Sequence, residues 1–523
     1  EIGSVIVRPR SVRGSSHWGM ERRSSRDLVC PAGRQQVEER AYMSLPEDEV
    51  AYALVTPYSL HKSRTGGIIA RLLWANVHLA AARMYAPKPG SSFITDYCDS
   101  LYDPTERAVP LRYQKVLIQY VLGNFSRPNV RGISNRLLLL VFRGPNAQSE
   151  LVRAVGHIGE EVRGDDVRGT FGDFVSESWS NPQVHEARRL GAEAMARYPE
   201  LQKIETPARC DSFFEPAVLA GATREMTEAH LKLFRRHAYC DGGYVLDAIQ
   251  GIAPAEVETS MVILKPESFR RRNPLPGNLV DFFARTGMYI TGAKMLQFTP
   301  EQAREFYSLK VPQFTRQLKG MVEESARRIV SRAGELAGAA AQNLGTDAAG
   351  TVEPRQAIRA EKTARGIFRE GGRPGPSELK ARVLDEVYRI LAERLDSLEP
   401  PDAFYSGVAE ELKALNAGAE FDELIRYMTG KDPQTGQPAQ NGQESMCMAL
   451  LYSGADGLKV IRKRLSELRK VYGRDILQNR AHASDPEEDP VKEVEVVGMP
   501  NSERGESRPC DVEQVVDEFY GSA

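Results

Sequence analysis

Met261-Val262-Ile263-Leu264-Lys265-Pro266-Glu267-Ser268 is a short apolar run stopped by lysine and proline. A run of this length bounded by a breaker reads as a buried strand. Just after it, Pro276-Gly277 opens the helix-period pattern Leu279-Val280-Asp281-Phe282-Phe283. The same grammar stands about 200 residues earlier, where Val50-Ala51-Tyr52-Ala53-Leu54-Val55-Thr56-Pro57 precedes Gly66-Gly67 and Ile68-Ile69-Ala70-Arg71-Leu72-Leu73. A second strand follows in each copy, Val77–Arg83 and Tyr289–Met295, and later apolar runs at Leu137–Phe142 and Met446–Leu451 each lead into glycine. This shared order predicts two related α/β units.

A chain of 523 residues is long enough for two or three domains. The formal charge of −2, with both signs interspersed, gives no basic footprint for nucleic acid. No apolar run approaches the roughly 20 residues of a membrane span. The six cysteines, Cys30, Cys98, Cys210, Cys240, Cys447 and Cys510, form no C-x-x-C pair or metal spacing. These features predict a cytoplasmic protein with small-molecule or protein partners. Residues 1–45 are Arg- and Ser-rich, which fits a transit peptide, a disordered basic arm or a misassigned start upstream of Met43; the last two are preferred.

Residues 204–256 read as a helical connector, because Glu225–Phe234 is amphipathic. After Tyr307 and Phe314, an Ala/Arg/Glu-rich segment with apolar stripes, residues 315–418, reads as a helical insertion. Unit-like sequence resumes at Phe421-Asp422-Glu423-Leu424-Ile425-Arg426-Tyr427-Met428.

The chemistry concentrates near the end, in Asn479-Arg480-Ala481-His482-Ala483-Ser484-Asp485 downstream of Leu468-Arg469-Lys470-Val471-Tyr472-Gly473. Imidazole is a usable nucleophile at neutral pH, provided that a polar group holds one ring nitrogen while the other attacks. No G-x-x-x-x-G-K-[ST] loop is present, so phosphate binding of the Walker type is unsupported. Lys265 at a strand end is a cation on a stiff platform, and Tyr307 in Thr299–Tyr307 reads equally as core or as catalytic.

The pattern N-x-x-H-x-S-D, with an upstream arginine, a Tyr-Gly pair and a strand ending in Lys-Pro, resembles the nucleoside diphosphate kinase family. The resemblance implies two ferredoxin-like antiparallel sandwiches: a degenerate one at 46–203 and a second at 257–523 that carries the insertion. It implies His482 as nucleophile, Glu493 as the carboxylate that orients it, and Tyr307 as a catalytic neighbour. Lys265, Leu424, Arg469 and Asn479 would bind nucleotide. Nucleoside di- and triphosphates would be the partners, Mg²⁺ would enter with ATP, and the units would pair within the chain or in a homo-oligomer.

The first unit resembles the family less. Thr56-Pro57 stands where Lys-Pro is expected, and the resemblance implies Arg153, Arg168 and His185 as the remnants of a vestigial site. The path from Gly454 to Arg469 is also much shorter than that from Gly144 to Arg168. A catalytically weak or inactive module that binds nucleotide or protein is therefore the competing reading.

Overall fold

A computed structural model describes residues 48–158, 165–174, 195–204, 214–270, 272–308, 421–431, 435, 437, 445–474, 479–485, 490–499 and 511–521. The N-terminal stretch before residue 48, the insertion 315–418 and His185 lie outside the described residues. The described residues belong to one compact unit.

Strands β1 (Asp48–Val55), β2 (His78–Tyr85) and β3 (Leu137–Pro145) form the middle of the first sheet. β4 (Asp173–Phe174) and β5 (Phe214–Glu215) pair in a separate ribbon, whereas β6 (Val218–Leu219) and β7 (Gly242–Gly243) are edges of the first sheet, in the order β6-β1-β3-β2-β7. The second sheet contains β8 (Glu258–Leu264), β9 (Tyr289–Gln297), β10 (Met446–Gly454) and β11 (Ala481–Ala483), in the order β11-β8-β10-β9. All pairings are antiparallel. The second sheet thus repeats the order of the first without its β7 edge.

Both sheets are covered on both faces, which is why their strands are continuously apolar rather than alternating. Successive residues point to opposite faces. Ala51, Ala53 and Val55 enter a core that also receives Val262, Leu264, Met448 and Leu450 from the second sheet. Val50, Tyr52 and Leu54 face a second core over the first sheet. Met261, Ile263, Cys447 and Ala449 face a third over the second sheet, where Phe298 and Phe306 are fully buried. Each such phenyl contributes roughly 1.5–3 kcal/mol relative to exposure.

The shared core holds the helices Thr65–Leu72 and Leu275–Ala284, which cross backbone to backbone. A Cβ on Gly66 would lie 2.2 Å from Asp281 N, and one on Gly277 would lie 2.2 Å from Ala70 N. Each glycine meets the residue four positions beyond the other, a reciprocal contact of the kind made across a two-fold axis. Only glycine permits so close a crossing.

Residues 204–256, expected as a connector, do more. They supply β5 to β7, and their helix Arg224–Arg236 buries Leu231, Leu233 and Phe234 over the first sheet. The helix Asp511–Tyr520, expected with the second unit, also buries Val512 and Val516 in the core over the first sheet. Its Asp511 Oδ2 accepts N–H from Ala82 of β2 at 2.8 Å and from Met295 of β9 at 2.7 Å.

Candidate active site

β11 is a three-residue edge strand whose register fixes its side chains. Ala481 and Ala483, opposite Leu264 and Val262, point to the shared core, while His482, opposite Ile263, points to the other face. The strand is entered through Arg480 at φ 70°, whose carbonyl accepts the Lys265 N–H at 2.9 Å. A non-glycine residue in this left-handed region needs strong local support. Here Glu267 Oε1 accepts the Arg480 N–H at 2.8 Å, and Arg480 Nε donates to Tyr472 O at 3.1 Å.

His482 is only 5% exposed. Its Nε2 lies 3.3 Å from Oε1 of Glu493, a fully buried carboxylate on the helix Pro490–Val497. The other carboxylate oxygen accepts the Ser484 hydroxyl, and Ser484 Oγ accepts the Met261 N–H at 2.9 Å. The Glu493 carboxylate is therefore itself anchored to β8. Phe306 packs edge-on against the imidazole at 5.4 Å between centroids, and Tyr307 does so at 6.2 Å. Burial raises the Tyr307 phenol well above its ordinary range, so it remains a neutral donor, and its hydroxyl has no hydrogen-bond partner among the described residues.

Arg469 leaves the last turn of the helix Gly457–Tyr472, and its Nη2 donates to Ala481 O at 3.1 Å. Its Nε is buried without a partner among the described residues. Burial, and then the neighbouring Arg462, lower its pKa to about 10. A buried cation repelled by a second cation favours an incoming anion. Arg462 donates to Ala483 O at 3.0 Å and pairs with Asp485 at 2.7 Å. A cavity of about 810 Å³ opens along this helix, lined by Lys459, Arg462, Lys463, Arg469 and Lys470.

Lys265 is buried at the end of β8, with its ammonium 5.9 Å from the Tyr427 ring centroid. Leu424 is buried in the apolar cluster that holds Tyr307. Asn479 is half-buried before β11, and its carbonyl accepts the Ala481 N–H at 2.9 Å. The structure thus gathers His482, Glu493 and Tyr307 directly, with Arg469 on the backbone of the same strand. Among the described residues, no group of three His, Cys, Asp or Glu side chains is placed to hold a metal ion.

The first sheet contains a register-equivalent edge. Thr56 N donates to Ala217 O at 3.1 Å, as Lys265 N does to Arg480 O, and Ala217 is also left-handed at φ 61°. Leu219 pairs with Leu54 as His482 pairs with Ile263. Arg168 Nη2 donates to Val218 O at 3.4 Å, the carbonyl equivalent to Ala481 O, and burial lowers its pKa to about 10. Arg153 is instead exposed and paired with Glu150. Two helices, Ala147–Val155 and Val167–Phe171, bring Arg168 to this carbonyl, whereas a single 16-residue helix brings Arg469. The shorter path seen in the sequence is this straight helix.

Sequence reading did not single out Glu267 and Tyr427, because a carboxylate after Lys-Pro and a tyrosine in an amphipathic helix each look ordinary until the pairing of β11 is known. Ser484 was visible within the histidine motif, but its role depends on the fold.

Residues 258–372 match the family model for nucleoside diphosphate kinase. The match includes Lys265 and Tyr307 and ends before Leu424, Arg469, Asn479, His482 and Glu493; of these, Leu424 shares the apolar core of Tyr307, and His482 lies on β11 of the same sheet. A nucleoside diphosphate kinase from Staphylothermus marinus is 42% identical over 52 residues, covering 10% of this chain and 36% of the relative. The chain thus spans about a third of that relative's length. By the family match, the partial relative and the antiparallel α/β sheets, the part of the chain that begins at residue 258 is similar to nucleoside diphosphate kinases.

Proposed function

We propose that the chain is a phosphotransferase of nucleoside diphosphate kinase type, in which His482 carries the phosphoryl group between a nucleoside triphosphate and a nucleoside diphosphate. One observation carries the reading: the buried His482–Glu493 contact is flanked by the Tyr307 hydroxyl and Arg469 Nε, two donors without protein partners among the described residues. Buried donors of this kind are costly unless something fills them, and an anionic phosphoryl group would do so.

Glu493 accepts the Nε2–H of His482, leaving the lone pair on Nδ1. Nδ1 attacks the γ-phosphorus, the bond from that phosphorus to its bridging oxygen breaks, and the electron pair leaves on the diphosphate. Imidazolium character that develops in the ring is offset by the Glu493 carboxylate. Lys265 and Arg469 neutralise phosphate charge, and the Tyr307 hydroxyl donates toward the transferred group. Mg²⁺ arrives as part of the triphosphate substrate and needs no protein cage. A second diphosphate then takes the phosphoryl by the reverse displacement. In this reading the first sheet is a duplicated unit without a nucleophile, and the second is the catalytic one.

The burial of His482 and Lys265 favours a second reading, a nucleotide-binding module without turnover. Incubation with γ-labelled ATP separates the two. Acid-labile, base-stable label that disappears in His482→Ala, and that chases onto added GDP, supports the kinase. Label that persists in His482→Ala refutes the assignment, and nucleotide binding without label leaves the second reading.

A further inference from the structure

We infer that Glu267 and Tyr427 form a tether through which nucleotide bound near the helical residues 421–429 fixes the strand that carries His482. Glu267 is a positioning residue in this inference, which rests on the phosphotransferase reading above. Its carboxylate follows Lys265-Pro266 in a short turn and holds two elements at once. Oε1 accepts the Arg480 N–H at 2.8 Å, and Oε2 accepts the Tyr427 hydroxyl. Arg480 is the left-handed residue that aims β11, so its amide sets where His482 stands. Tyr427 stacks its ring against the Arg270 guanidinium at 5.1 Å and the Lys265 ammonium at 5.9 Å. Movement of the helix that carries Tyr427 is therefore felt by the amide that orients the nucleophile strand.

The same tether recurs in the first sheet with different chemistry. Tyr120, in Ile118-Gln119-Tyr120, matches Tyr427 in Ile425-Arg426-Tyr427, and its hydroxyl donates to Glu215 Oε2 at 2.8 Å. Glu215 Oε1 accepts the N–H of Ala217, the counterpart of Arg480, at 3.1 Å. The carboxylate comes from before the edge strand rather than from after the first strand, so the geometry persists although its source differs. What changes is charge. Glu215 is locked by Arg131 at 2.7 Å and by the Thr56 hydroxyl at 2.7 Å, whereas among the described residues Glu267 has no ion-pair partner. The tether over Leu219 is closed by a salt bridge whose Arg131 also lies 5.9 Å from the Tyr120 ring; the cations over the Tyr427 ring, Arg270 and Lys265, make no ion pair with Glu267 among the described residues, and a nucleotide phosphate can draw on them.

Hydrogen exchange of the full chain with and without Mg·ADP tests this, reading the amides of residues 480–483. In wild type, ADP slows their exchange by about tenfold, the scale of one charge-assisted hydrogen bond. Tyr427→Phe still binds ADP within about threefold but loses this protection, because phenylalanine keeps the ring and removes the donor. Glu267→Gln retains it, since its amide can accept from Arg480 and donate to the tyrosine oxygen. Tyr120→Phe also retains it. Equal ADP-dependent protection in Tyr427→Phe and wild type overturns the inference. Absence of ADP binding in every variant, wild type included, overturns the phosphotransferase reading and the inference with it.

Discussion

Leu219 holds in the first sheet the register position that His482 holds in the second, each opposite the penultimate residue of the strand that ends before Thr56 or Lys265. The leucine is buried, and around it the left-handed entry and the arginine-to-carbonyl bond are kept. One edge has this frame with a hydrocarbon in it. The other has an imidazole backed by a carboxylate.

Phosphoryl label should therefore map to a single peptide, the one containing His482. His482→Ala abolishes it, while His185→Ala leaves it unchanged. Peptide mapping after brief incubation with γ-labelled ATP checks this, and label in residues 181–219 would contradict it.

Glu493→Gln should slow phosphorylation of His482 by about tenfold to hundredfold, the scale of a lost charge-assisted hydrogen bond. Glutamine preserves volume, so the protein should stay folded, with thermal midpoint and rate measured on the same sample. A full rate at an unchanged midpoint would remove Glu493 from its orienting role.

Gly277→Val should destabilise by more than about 2 kcal/mol, because the added side chain has no room between the crossing helices. Gly287→Ala is a control that tests backbone strain alone: Gly287 has φ 78° and open space around its missing Cβ, so its cost stays near 1–2 kcal/mol. Urea midpoints of the two variants read the difference. A Gly277→Val protein as stable as wild type would mean that the two helices separate without cost.

Asp511→Asn should become more stabilising as pH rises. Burial raises the Asp511 carboxyl above its ordinary range, outweighing the Ala82 and Met295 amides and the charges of Lys294 and Arg83. With the folded pKa above the unfolded value of about 3.9, its contribution is fully present below that value and is lost as pH rises through the folded pKa. The midpoint difference between variant and wild type should be near zero in acid and favour asparagine at neutral pH. Thermal unfolding from the lowest pH at which both fold, up to pH 7, measures it, and a difference independent of pH would refute it.

Much of this was legible in the sequence. Runs such as Leu137–Phe142 announce strands because a sheet covered on both faces needs apolar residues at every position, and all six are buried. His482 and Glu493 were legible as candidates through the family resemblance, and the structure brings them to 3.3 Å. Leu219 was not, since the two-residue strand Val218–Leu219 has no periodicity and its meaning lies only in its register against Leu54. Nor was the destination of the last helix: Val512 and Val516 announce a buried stripe, but not that it lies over the first sheet.

The Asp511 bond to Ala82 spans 429 positions of chain. A ribosome releases β2 long before it makes the residue that joins that strand to β9. The growing chain must therefore hold its first sheet with part of one face uncovered and an amide of β2 waiting, and non-local contacts of this kind form late and slowly. The joint between the sheets thus depends on synthesis passing residue 511: a product cut short before it could build both sheets and still lack the carboxylate that holds β2 and β9 together.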